Sequence, residues 1–134
     1  MTKAQALASS FFEALNARDF DRLARLTDED VALDTMLGQR TIGREPMRTA
    51  IANYLRHFDE EFLDIVLMSD PFGQRIAADV TAKGRYSETM PGFAKADGQA
   101  YAVPAVFVFE IEDGVIIRIS HYRNTGAFAT ALAA

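Results

Sequence analysis

Cysteine is absent from the 134 residues, as is tryptophan, and there are only two histidines and four prolines. Without cysteine, disulfides, thiolate metal sites and a nucleophilic thiol are excluded. Long apolar runs are missing too. No stretch approaches the roughly 18 uncharged apolar residues of a membrane-spanning helix, and the first twenty residues interleave Lys3, Glu13, Arg18 and Asp19 with their apolar positions. The expectation is a soluble, cytoplasmic protein without a membrane partner. An excess of positive charge is also lacking: nineteen acidic residues face fourteen basic ones, for a net charge of −5. The basic residues are scattered, so nothing builds the positive stripe that a phosphate backbone requires, and nucleic acid is not expected as a partner. Two distant histidines and dispersed acids carry no metal-ligand spacing. Neither a metal nor an organic cofactor is expected.

What the chain does have is periodicity. Leu7, Phe11, Ala14 and Leu15 recur at helical spacing within residues 4–17, with Phe12 at the edge of the stripe. Asp19 caps a second short helix through Phe20, Leu23, Ala24 and Leu26. Residues 30–37 begin as a strand and return irregularly through 39–42 to Gly43. A third helix spans 44–58, with Pro46 in its first turn and Met47, Ile51, Tyr54, Leu55 and Phe58 on its apolar side. Strands follow at 61–68 and 74–86, and then a loop over 87–98 containing Met90, Pro91, Gly92 and Phe93. That loop can serve as a lid over a cavity or pack onto its own domain. Residues 99–124 form a long hairpin turning at Asp113-Gly114. A short apolar tail ends the chain, with Phe128 and Leu132 one helical turn apart.

Helices first, then strands with tight connections, predict an α+β domain over residues 1–134: a curved antiparallel sheet with three N-terminal helices over its concave face, enclosing a conical cavity. Four polar residues stand out against apolar strands. Asp34 is an edge or turn carboxylate, or a buried acid whose desolvation would fit it for proton transfer. Asp79 joins it in the cavity if Ala77, Asp79 and Thr81 point inward, and is solvated if the register slips by one. His121 and Arg123 interrupt the alternation of Ile117 and Ile119 in the last strand.

FFEALNARDFDRLARL, DVALDTMLGQRTIGREPM and GQAYAVPAVFVFEIEDGVIIRISHYRN together resemble the nuclear transport factor 2-like superfamily, whose cone-shaped (cystatin-like) fold is shared by ketosteroid isomerases, limonene-epoxide hydrolases and polyketide cyclases of the SnoaL type. The nearest pattern is that of the ketosteroid isomerase-related proteins, in LDTMLGQRTIGREPM, Asp64 to Val66 and GQAYAVPA. The resemblance implies a strand aspartate as general base. Counting back from Gly43 places Asp34 there, and counting forward from Asp30 places Thr35. The isomerases' two oxyanion donors are replaced by Phe11 and by Ala105 or Val106, and loss of such donors costs roughly two or three orders of magnitude each. The hydrolase set is lost as well, with Asp79, Thr81 and His121 at its charged positions and Leu33 and Thr35 at the water-holding pair. The acidic pattern that SnoaL-type cyclases carry near the end of the last strand is not matched by Arg123-Asn124.

The resulting expectation is an isomerase- or cyclase-like enzyme acting by proton transfer on a small hydrophobic carbonyl compound. Its catalytic candidates are Asp34, Asp79 and His121. Phe11, Tyr54, Phe58, Phe93, Phe107, Phe109 and Arg123 are the candidate ligand-binding walls. The alternatives are a non-catalytic module for an apolar ligand and an interaction domain. The resemblance also implies a homodimer through the sheet, with apolar area from Tyr101, Val103, Ile117 and Tyr122.

Overall fold

The structure is a computed structural model and describes residues 1–133. Its elements run α1 (Lys3–Ala17), α2 (Phe20–Arg25), β1 (Thr27–Asp34), β2 (Arg40–Ile42), α3 (Arg44–His57), β3 (Phe58–Ser69), β4 (Arg75–Tyr86), β5 (Ala100–Glu112), β6 (Val115–Tyr122) and α4 (Thr125–Ala133). Six strands make one sheet in the order β2-β1-β6-β5-β4-β3. All neighbours are antiparallel except β1 and β6, which run parallel. The curved antiparallel sheet expected from the sequence is therefore present, with one parallel pairing that periodicity does not encode. Asp64 adopts φ 54° where the β3–β4 register shifts between Leu63 and Val66, a bulge of the kind that bends a strand.

Local signals explain the helices. Thr2 and Gln5 form a reciprocal capping box at the start of α1, and Asp19 accepts from the Arg22 amide to start α2. From α1, Phe11 and Phe12 descend onto the inner face of the sheet. Phe12 meets Phe107 edge-on at 5.3 Å and Phe11 meets Phe109 at 5.1 Å, while Phe62 closes the layer against Phe107 at 5.3 Å. Asn16 fastens the end of α1 to β3, its amide bonding both the nitrogen and the carbonyl of Phe62 at 2.8 and 3.0 Å.

A second buried cluster lies under the C-terminus, made of Phe58, Tyr86, Tyr101, Phe128 and Leu132. The 87–98 loop belongs to it. Phe93 packs edge-on against Phe58 and Phe128 at 5.9 and 5.7 Å, and the Tyr86 hydroxyl donates to the Ala94 carbonyl and accepts from the Met90 amide. Of the two roles open to this loop, packing onto the domain is the one realised. His57, the last residue of α3, is likewise engaged: its Nδ1 lies 2.9 Å from the Glu88 carbonyl.

Candidate active site

Between α1, α3 and the inner face of the sheet lies a cavity of about 60 Å³. Phe11, Leu15, Leu33, Ile51, Leu55, Phe62, Phe107 and Ile119 make its apolar walls, and Thr35, Tyr54 and His121 bring the polar atoms. Thr35, Met36 and Ala50 are only half-buried and mark its mouth. The strand register sets this lining. Leu33 faces inward opposite Ile119, and Phe107 lies opposite His121, so the two rings stack at 4.4 Å and 12°.

Behind His121 stands a buried polar network. The Glu60 carboxylate and the Arg123 side chain are both fully buried and paired, with Arg123 Nη2 2.8 Å from Glu60 Oε1 and Nη1 3.1 Å from Oε2. The Tyr54 hydroxyl donates to the same carboxylate from 2.7–2.8 Å, and the Tyr101 hydroxyl from 3.0 Å. Every face of Glu60 is thus satisfied, as burial of a carboxylate demands. Burial opposes the Arg123 charge, and the Tyr54 and Glu60 oxygens more than offset it; the guanidinium also sits 4.7 Å over the Phe128 ring. Burial, then Glu60, pushes both tyrosine hydroxyls above their usual range, so they remain donors.

Arg123 turns its other edge to His121, with Nε and Nη2 at 3.2 and 3.0 Å from His121 Nε2. A guanidinium has donors only, so Nε2 must accept and the ring proton resides on Nδ1. Burial first, and then the Arg123 charge, hold the His121 pKa down at about 3. The imidazole is therefore neutral at physiological pH.

The two carboxylates expected in the cavity are elsewhere. Because Leu33 and Thr35 face inward, alternation sends Asp34 to the opposite face. There Arg40 grips it at 2.6 and 3.0 Å and Ser120 donates from 2.7 Å; the Arg40 bond is the main cause holding its carboxyl down at about 2. Asp79 is exposed between buried Ala78 and Val80, opposite Val66 and Val106; the outward register is the one adopted. Of the expected walls, Phe11, Tyr54 and Phe107 line the cavity. Phe109 lies deeper in the same core, while Phe58 and Phe93 belong to the second cluster. Arg123 is one layer back, reaching the cavity through His121. Sequence reading passed over Glu60 altogether. The available signal was the alternation of Phe58, Glu60 and Phe62 along β3, which puts the acid on the aromatic face. Among the described residues no three His, Asp or Glu side chains gather as metal ligands would.

Comparison with known proteins places this architecture. The sequence model of the SnoaL-like domain matches residues 8–119. No protein of curated function matches the chain in sequence. A proposed polyketide cyclase from Xanthomonas campestris pv. campestris shares 31% identity over 97% of this chain and 96% of its own, with a TM-score of 0.92. Another from Pseudomonas putida shares 32% over 98% of both chains, with a TM-score of 0.91. An LEH-like epoxide hydrolase of M. tuberculosis shares the fold at 18% identity, over 98% of this chain and 85% of its own, with a TM-score of 0.76.

Proposed function

The chain belongs to the SnoaL-like domain family, and on that premise we propose that it is an isomerase- or cyclase-like enzyme acting on a small, neutral, apolar carbonyl compound held in the cavity. The observation that carries this reading is the neutral His121 ring in a lining that is otherwise apolar but for Thr35 and Tyr54, with its proton on the nitrogen that Arg123 leaves free. Such a donor binds a carbonyl oxygen and binds it more tightly as negative charge develops there during loss of an α-proton. Asp34, off the cavity and ion-paired, is not the base. The lining contains no carboxylate, which favours substrates whose C–H is already acidic, as between two carbonyl groups, and whose proton can leave to water at the mouth. Compounds of that chemistry accord with the description of the two relatives as proposed polyketide cyclases.

Size narrows the class. The cavity is smaller than the roughly 150 Å³ of an apolar cavity that takes benzene, so it accommodates the reacting end of a ligand, with any remainder passing Thr35 and Met36. The absence of a lining carboxylate also favours a second reading, a binding module for an apolar ligand without turnover. Deuterium exchange at the central carbon of small 1,3-diketones, followed by NMR, separates the two. Catalysed exchange that falls roughly 100-fold or more in His121→Phe supports the enzyme. Saturable binding with exchange no faster than in buffer leaves only the binding module.

A further inference from the structure

The cavity-facing histidine and the ion pair behind it form one device. His121 Nδ1 has no hydrogen-bond partner among the described residues, yet the one buried side-chain nitrogen or oxygen among them without a partner is Thr41 Oγ1. His121 Nδ1 is therefore open to space, and the space beside this ring is the cavity that it lines. A half-turn of the ring about Cβ–Cγ would keep it parallel to Phe107 but put a carbon where Nε2 stands and lose both bonds from Arg123. Arg123, in turn, is held by two bonds to Glu60, whose remaining capacity is taken by Tyr54 and Tyr101.

We propose that Glu60 and Arg123 are positioning residues that lock His121 in its Nδ1–H tautomer, making it a permanent hydrogen-bond donor to the cavity and denying it the role of base. Nε2, the only lone pair on the ring, is occupied by a cation that cannot give it up without leaving Glu60 unpaired. The groups facing the imidazole are Tyr54 from α3, Phe107 from β5 and Arg123 following β6, with Glu60 of β3 and Tyr101 of β5 behind Arg123. None of them accepts a proton from Nδ1. A ligand must therefore bring an acceptor oxygen to the ring, and one whose only polar group is a donor finds no partner at His121. The link to a carbonyl oxygen rests on the functional reading above; the tautomer lock does not.

The test reads the lock without any ligand, so its outcome is independent of whether a carbonyl compound binds. Long-range proton–nitrogen NMR correlations of uniformly nitrogen-15-labelled protein report which ring nitrogen carries hydrogen, with His57→Gln assigning the second histidine. The expected wild-type spectrum has a protonated Nδ1 and a bare Nε2 on His121, unchanged between about pH 5 and about pH 8. In the double variant E60Q/R123M, which removes the two charges together, Nε2 no longer faces a cation and the ring is expected to populate the Nε2–H form. A wild-type ring protonated on Nε2, or on both nitrogens near pH 6, overturns the proposal. So does an unaltered Nδ1–H signature in the folded double variant. Should that variant fail to fold, Arg123→Gln, whose side-chain amide can accept as well as donate, is expected to shift the tautomer, and an unchanged spectrum there refutes the lock equally.

Discussion

His121 is a residue whose burial has a thermodynamic signature. Folded, it stays neutral down to about pH 3, because burial and then Arg123 disfavour the imidazolium; unfolded, it takes up a proton near pH 6.5. Between these values the unfolded chain binds the additional proton, so stability rises with pH. The contribution is fully present above about pH 6.5 and is lost as pH falls toward 3, up to roughly 5 kcal/mol in total. Urea denaturation at about pH 7 and about pH 4.5 checks it: wild type is expected to lose roughly 2–3 kcal/mol more than His121→Gln over that interval. Asp34 should behave oppositely in importance. It is partly exposed and held by Arg40, so Asp34→Asn is expected to cost under about 1 kcal/mol and to leave diketone exchange unaffected. A large loss of exchange in that variant would return Asp34 to the chemistry.

At the level of elements, β3, β4 and β5 are spaced to build the Glu60 network, and Gly84 is what lets them. It lies opposite Glu60 on one side and Tyr101 on the other. A Cβ there would come within 2.6 Å of the Asp59 carbonyl, 2.8 Å of Glu60 Cγ and 2.9 Å of the Tyr101 hydroxyl. Gly84→Ala must therefore push backbone as well as side chains, and a melting-temperature drop equivalent to roughly 1–3 kcal/mol is expected. For the pair itself, Glu60→Gln should cost roughly 3–5 kcal/mol by leaving the Arg123 charge buried alone, whereas E60Q/R123M should cost far less than the E60Q and R123M changes summed. Denaturation of the four proteins in a double-mutant cycle measures this; additive losses would mean that the pair is not coupled.

For the whole molecule, the outer face of the sheet is the feature that stands apart. Val66, Met68 and Tyr122 are each more than half exposed, and Val106 lies between Asp79 and Tyr122 in the paired strands. Of the four residues expected to offer apolar area on one face of the sheet or the other, Tyr101 and Val103 pack inward onto the second cluster. We propose that the chain is a homodimer through this outer face, a contact that would cover Val66 and Val106. Light scattering at micromolar concentration is expected to give twice the chain mass, and Val66→Asp with Val106→Asp to give the monomer. A wild-type monomer under those conditions would remove the proposal.

Much of the architecture was legible in residue order. The stripe of Leu7, Phe11 and Leu15, the Asp19 cap and the Asp113-Gly114 turn each act through neighbours a few positions away, and each produced the element that it announced. The resemblance to the superfamily was legible for the same reason, being carried by contiguous segments. The site was less so. Whether Asp34 or Thr35 meets the cavity depends on a one-residue phase, which flips every side chain of a strand. Glu60 and Arg123 are 63 positions apart; Glu60 looks like an ordinary surface charge, and Arg123 stands out without a visible partner, until β3 and the end of β6 close on the same aromatic layer. Local pattern sets helices, turns and strands because those are short-range hydrogen-bond problems. Which polar groups lose water together, and so which nitrogen of His121 keeps its proton, is settled only when strands distant in sequence pack against one another.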